Sequence, residues 1–213
     1  MSIGDSEIKT QERVIRFFKD PEILGYQYIG NLSDYQNKNI KEDRLRQYLR
    51  LKGYADNLID GAITQLQQEA GNLSRGLYDA NKTVYSRLKY GIPVSESPEK
   101  PPVTVQLIDE ENPLNNDFAI AEEVTVVEQS EKRPDLVVYL NGIAVAVIEL
   151  KRSSVSVSEG IRQNLTNQKN SFIQGFFSTM QFCMAGNESE GLRYGTLLTG
   201  EKFYMEWKDD GFK

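Results

Sequence analysis

The stretch Arg133-Pro-Asp-Leu-Val-Val-Tyr-Leu-Asn-Gly-Ile-Ala-Val-Ala-Val-Ile-Glu-Leu-Lys151 decides how this chain folds. Two apolar runs, 136–140 and 143–150, flank Asn141-Gly142. That dipeptide between β-rich runs is the strongest short-range hairpin signal. Both runs are apolar at nearly every position instead of alternating, which is how strands read when both faces of their sheet are covered. The stretch is therefore expected to be a hairpin at the centre of a sheet.

Charges at the open end of so apolar a hairpin need a reason. Asp135 opens one strand, and Glu149 and Lys151 close the other. Side chains alternate along a strand, so Glu149 and Lys151 share a face, with Val147, Val145 and Ile143 behind them. The place of Asp135 depends on the turn. A plain two-residue turn sets Leu140 against Ile143 and Asp135 against Ile148, on the wrong face. A three-residue loop, Leu140-Asn141-Gly142 with Gly142 as a left-handed bulge, sets Asp135 against Val147. Asp135 and Glu149 then become diagonal neighbours on one face, roughly 7–8 Å apart at the backbone. The three-residue loop is expected, because it lets two carboxylates grip one divalent cation.

The plainer reading is a buried Asp–Lys or Glu–Lys pair capping a core hairpin, since buried charges occur where they are paired. The chemical reading starts from P-D-x13-E-x-K. Asp135 and Glu149 supply hard oxygen ligands and Lys151 a fixed positive charge. Mg²⁺, for which Mn²⁺ can substitute, asks for one or two carboxylates plus phosphate oxygens and waters. A bound metal also lowers the pKa of water enough to make hydroxide a nucleophile. That is phosphodiester chemistry.

The arrangement resembles the PD-(D/E)xK nuclease superfamily, with Pro134, Asp135, Glu149 and Lys151 in its named positions. The surrounding wording narrows the resemblance: N-D-F at 116–118, E-V-T-V at 123–126, R-P-D-L-V at 133–137, N-G-I-A at 141–144, V-I-E-L-K at 147–151, M-A-G-N at 184–187 and L-R-Y-G-T at 192–196. Together these resemble the N-terminal nuclease domain of the restriction (R) subunit of type I restriction-modification enzymes, over most of the chain.

The resemblance implies a restriction-endonuclease-like fold and Mg²⁺-dependent cleavage of double-stranded DNA. Asp135 and Glu149 would hold the metal, and Lys151 would orient the attacking water or stabilise the pentacovalent phosphate. In many such nucleases a glutamate of the first helix adds a metal-facing oxygen, and Glu7 and Glu12 are the candidates. A Gln-x-x-x-Tyr pair on a later helix lines the site of related enzymes. Gln163 matches the first position and would support Lys151, whereas Asn167 replaces the tyrosine. The resemblance also implies a longer subunit in which ATP-driven motor domains follow, with methylation and specificity subunits as partners. Nothing in the chain reads bases, so cutting is expected to be sequence-nonspecific.

Two other functions are open. One is a noncatalytic module that anchors DNA or neighbouring subunits, and the other is a stand-alone DNA repair or Holliday-junction nuclease.

The totals bound these readings. The 213 residues suffice for one core with a helical extension. No apolar run is long enough to span a bilayer, and the polar, acidic start carries no secretory signal, so a cytoplasmic protein is expected. A single cysteine, Cys183, excludes an internal disulfide, and the absence of histidine excludes histidine catalysis. The net charge of −6 argues against a general electrostatic grip on DNA. Weak binding by the isolated chain is therefore expected.

The fold class is α/β, a mixed sheet of about four or five strands flanked by helices, with a helical part over about 1–91 and a catalytic part over about 103–213. Helical stripes lie at 8–18, 40–51, 56–70 and 73–90, the last stopped by Gly91-Ile92-Pro93. Residues 25–30 read as a short strand or turn, and the proline-rich 95–102 as a connection. Strands at 103–108 and 123–127 are expected to join the hairpin, with Asp117 capping a turn between them. Ser156 and Glu159 announce a helix, with Ile161, Leu165 and Phe172 on its buried side. An aromatic-rich helix is expected over 172–184, ended by Gly186, then a strand pair at 192–199 and 203–207. The run G-T-L-L-T-G-E-K imitates a phosphate-binding loop but lacks its Gly-Lys-Ser/Thr.

Overall fold

The computed structural model describes residues 7–96 and 99–208. At its centre stand β7 (Leu136–Leu140) and β8 (Ile143–Leu150), antiparallel and buried along almost their whole length. Their turn is a tight two-residue Asn141-Gly142 corner with positive φ at both residues, 52° and 84°. The expected three-residue loop is therefore absent. Leu140 faces Ile143 and Tyr139 faces Ala144, but Val138 faces Ala146, so Val145 is an extra residue in β8. Beyond this β-bulge the pairing runs Val137 to Val147 and Leu136 to Ile148. The face change that the sequence reading assigned to the turn is made inside the strand. Val145 and Ile143 consequently leave the face of Val147, and Ala144 takes their place with Val147 in the core.

Around the hairpin runs a seven-stranded mixed sheet of order β1-β4-β7-β8-β9-β10-β11. The added strands are β1 (Gln27–Asn31), β4 (Phe118–Glu122), β9 (Phe182–Asn187), β10 (Gly191–Gly195) and β11 (Met205–Glu206). Pairing is parallel for β1 with β4 and for β8 with β9, and antiparallel elsewhere. A parallel neighbour needs a crossover, and α5 (Val157–Asn167) supplies it between β8 and β9. The sheet has more strands than the four or five expected because short segments at both edges pair with it.

The structure departs from the expected elements in three segments. The aromatic-rich segment after residue 172 is a 3₁₀ turn, Gln174–Thr179, followed by strand β9, not a helix. Periodicity cannot distinguish a short apolar run in a helix from one in a buried strand, and β8 offers its open edge to this run. The strands expected to join the hairpin pair elsewhere. β3 (Val103–Val105) pairs with β2 (Ile92–Val94), and β5 (Val126–Val127) with β6 (Glu131–Lys132), each as a separate two-stranded ribbon. The neighbour of β7 is β4, formed by F-A-I-A-E at 118–122.

Helices cover both faces. On one face, α1 (Glu7–Lys19) lays Ile15 on Ile120, Leu136, Val138, Ile148 and Leu150. Only part of its predicted stripe is buried, for Ile8 and Phe17 face solvent. On the other face, Phe176, Phe177 and Met180 pack on Val137, Tyr139, Ala144 and Val147. The helices α2 (Glu42–Leu51), α3 (Asp56–Gly71) and α4 (Leu77–Tyr90) build a second core with the β2–β3 ribbon, through Leu45, Leu49, Ile59, Leu66, Val84, Ile92 and Val105. Ile143 of β8 belongs to that core as well, which fastens the helical block to the hairpin turn. Residues 97 and 98 of the proline-rich connection lie outside the described residues.

The turn is a joint as well as a corner. Asn141 is fully buried, its amide donating to Leu107 O and Asn116 Oδ1 at 2.8 Å while its Oδ1 accepts from Asp117 N at 2.7 Å. A Cβ on Gly142 would stand 2.7 Å from Lys41 O and 2.8 Å from Leu45 N. Gly142→Ala combines that clash with a strained positive φ, and is expected to cost roughly 2–4 kcal/mol in urea unfolding. A loss below about 1 kcal/mol would show that the helical block does not press on this corner.

Candidate active site

The bulge at Val145 decides the geometry of the open end. With Leu136 opposite Ile148, continuing the register places Asp135 opposite Glu149, on the same face, as direct partners instead of diagonal neighbours. Asp135 stands close enough to raise the Glu149 carboxyl. Glu149 is 0% exposed and Asp135 9%. Asp135 Oδ2 accepts from the backbone N–H of Leu150 at 2.6 Å, which holds it against the end of β8.

Lys151 stands just past the strand. Its Nζ donates to Leu150 O at 2.8 Å and lies 3.9 Å from Asp135 Oδ2 and 4.0 Å from Glu7 Oε1. Glu7, at the start of α1, is thus the first-helix glutamate that faces the site. Glu12 lies one turn further along among Lys9, Arg13, Arg16 and Glu188. Gln163 of α5 donates through Nε2 to Glu149 Oε2 at 2.7 Å, so it braces the acid and not Lys151. The close seating of α5 depends on Gly160, where a Cβ would come 3.0 Å from Ala185 Cβ and 3.4 Å from Glu149 O. Asn167 is buried on the same helix, and Asn164 beside it donates to Met184 O at 2.8 Å, anchoring α5 to β9.

Asp117 is at the other end of the sheet, where it forms an ion pair with Arg44 at 2.6 Å. A residue passed over in the sequence is Glu123, whose N–H donates to Asp135 O at 2.8 Å with φ of 51°. Its carboxylate accepts from Gln11 at 3.3 Å and pairs with Arg133 at 2.8 Å. Only the E-V-T-V wording marked that position, and nothing in it foretold this contact.

Burial dominates the electrostatics. Desolvation pushes the Asp135 carboxyl up to about 6, against the Leu150 N–H bond and the Lys151 charge, with Glu7 and Glu123 adding to the rise. Desolvation likewise raises Glu149, with Asp135 the next cause, well above the usual carboxylate range. Glu149 Oε1 is buried with no hydrogen-bond partner among the described residues. A buried acceptor without a donor is costly, so this oxygen is fitted to receive a cation or a proton. Among the described residues no three Asp, Glu or Cys side chains converge as a self-sufficient metal cage. Two hard carboxylates with room for other oxygens suit Mg²⁺, which retains waters and takes few protein ligands.

A carboxyl raised on folding makes the native state bind protons more tightly than the unfolded chain. Its stabilising effect is complete below the unfolded value near 4 and is lost as pH rises through about 6. Without divalent cations, stability should therefore fall between about pH 4 and 6. Asp135→Asn retains an acceptor for Leu150 N–H and should flatten that fall by up to about 3 kcal/mol. Parallel melting curves of the two proteins against pH would contradict the buried acid pair.

Comparison with known proteins follows the geometry. The family described as type I restriction enzyme R protein N terminus matches residues 6–203. The chain is 34% identical over 137 residues to a Methanocaldococcus jannaschii protein with the provisional name type I restriction enzyme MjaIXP endonuclease subunit. That match covers 60% of this chain and 13% of the relative, so the chain spans a small part of the curated protein it matches. Among the described residues no helix is long and apolar enough to cross a membrane. The family match runs through both carboxylates and the lysine, and the chain belongs to the family of type I restriction enzyme R protein N termini.

Proposed function

We propose that this chain is a metal-dependent endonuclease domain that cuts double-stranded DNA without reading its sequence. The observation that carries the reading is the buried, facing pair Asp135 and Glu149, with one glutamate oxygen lacking a partner and the Lys151 ammonium 3.9 Å from Asp135. Mg²⁺, or Mn²⁺ in its place, would be held by these two carboxylates. When bound, it supplies Lewis-acid polarisation of the phosphodiester and a lowered pKa for water.

The chain's own residues do the positioning. Gln163 binds Glu149 Oε2 at 2.7 Å, fixing that carboxylate's rotation and leaving Oε1 for the cation. The Leu150 N–H does the same for Asp135 Oδ2. Lys151 sets its positive charge where negative charge develops on the phosphate, or orients the attacking water. Glu7 is the first-helix acid able to add an oxygen or to hold the ammonium, at 4.0 Å from it. Glu149 is covered by α5 and β9, while Asp135 keeps the 9% exposure through which the pair meets solvent.

The same reading sets the chain inside a larger subunit. ATP would act only through motor domains outside this chain, and methylation and specificity subunits would choose where the complex loads. In that assembled enzyme, Asp135→Asn or Lys151→Ala should lower plasmid cleavage by roughly 10²–10⁴-fold with ATP hydrolysis and assembly intact. Unchanged cutting would overturn the nuclease reading, and lost assembly would favour an anchoring module.

Metal binding can be read without activity. At a Mn²⁺ concentration about 100 times its dissociation constant, the isolated chain should gain about 2.7 kcal/mol of stability. Glu149→Gln should abolish that gain, and an equal gain in the variant would place the ion elsewhere.

A further inference from the structure

The exposed face of α4 differs from every other outward helix face in the helical block. Tyr78, Lys82, Tyr85 and Lys89 follow one another at four, three and four residues. On a helix of 3.6 residues per turn this keeps them within an arc of ~60° along a line of about 16 Å. The opposite face carries the buried Leu77, Ala80, Val84 and Leu88, so this line points outward. Tyr78 is 61% exposed, Tyr85 49% and the adjoining Tyr90 64%.

Elsewhere on the three helices the outward cations are neutralised, whereas Arg75, in the loop just before α4, forms no ion pair among the described residues and lies near Lys82 at the start of the row. Arg46 pairs with Glu42 and Asp60, Arg50 with Asp56, Lys52 with Asp109, and Arg87 with Glu69. Lys82 and Lys89 form no ion pair among the described residues. Lys89 lies 5.2 Å over the Tyr90 ring and feels Glu110 only as a more distant charge. A chain of net charge −6 thus keeps unpaired ammonium groups in one row, interleaved with phenols. Core packing does not explain solvent-facing tyrosines, and solubility does not need lysines alternating with them.

We infer that this face of α4 is a second nucleic-acid surface, which takes the phosphate backbone of duplex DNA away from the cleavage site. Lysine ammoniums and tyrosine hydroxyls are donors suited to phosphate oxygens, and they position a duplex without reading its bases. The row is about as long as five base-pair steps of duplex, at 3.4 Å per step. Its location agrees with that role. Asn81 ties α4 to Ser178 O and Met180 O, at 3.0 and 2.7 Å, behind the hairpin turn. The carboxylates stand at the opposite end of β7 and β8. One duplex in both places would be held at two points, which compensates for the weak grip expected of an acidic chain. The choice of DNA as the polyanion rests on the proposed nuclease reading, whereas the surface rests on its own charges.

The test is fluorescence-anisotropy binding of a labelled 30-base-pair duplex to the isolated chain at several low salt concentrations. Lys82→Glu/Lys89→Glu should weaken binding at least about tenfold and reduce the slope of log affinity against log salt by about two. Tyr78→Ala/Tyr85→Ala should weaken binding severalfold with a smaller change in slope. Parent-like binding by the lysine variant, or no duplex binding by the parent at the lowest salt, would overturn the inference. Loss of subunit assembly with DNA binding unchanged would do so too, marking the face as a protein contact. Continued cutting by Asp135→Asn would sink the nuclease reading alone and leave this surface to the binding data.

Discussion

One surplus residue governs this protein. Side chains in a strand alternate, so moving the register by a single residue sends every later side chain to the other face. Val145 is that residue, and it sits between a tight turn and the end of β8. Without it, a two-residue corner would set Asp135 against Ile148 and separate it from Glu149. With it, the acids become partners across the hairpin. The bulge relaxes the ladder at one point, near the helical block, and the result appears three residue pairs away.

Bringing two carboxylates together inside a protein is costly, and the surroundings show how the cost is limited. Each acid has one oxygen bound, Asp135 to the Leu150 N–H and Glu149 to the Gln163 amide. Lys151 supplies a positive field from the rim. These contacts do not cancel desolvation, which raises both acids. A buried charged pair that its protein neighbours satisfy only in part stores a demand for a cation or a proton. The structural ion pair considered as the plainer reading would have satisfied its oxygens; Glu149 Oε1 is left without a partner among the described residues.

The opposite end of the hairpin is rigid for a different reason. Asn141 and Gly142 are pressed into the joint between sheet and helical block, where Asn141 bonds Leu107, Asn116 and Asp117. Ile143 lies in the helical core while Ala144, next to it, lies in the sheet core. The strand pair is therefore clamped at its turn by the helical block and at its other end by β9, which pairs with Glu149 and Leu150, so the carboxylates stand on a fixed backbone. Glycine at 160 lets α5 approach closely enough for Gln163 to reach Glu149.

The amino-acid sequence by itself determined the central hairpin, its burial on both faces, the identities of the acids and lysine, and the helices α1 to α5. These depend on local chemistry: Asn-Gly favours positive φ, continuous apolar runs need cover, and periodic stripes make helices. Tertiary structure alone decided how the acids came to share a face, because a bulge in an apolar strand leaves no mark in composition. It also decided that Glu7, not Glu12, faces Lys151, since both glutamates suit an amphipathic helix and only the docking angle separates them. The same holds for β9, whose aromatic run takes the strand form because the open edge of β8 binds it. Where a residue's state depends on partners distant in the chain, local patterns leave alternatives, and packing chooses among them.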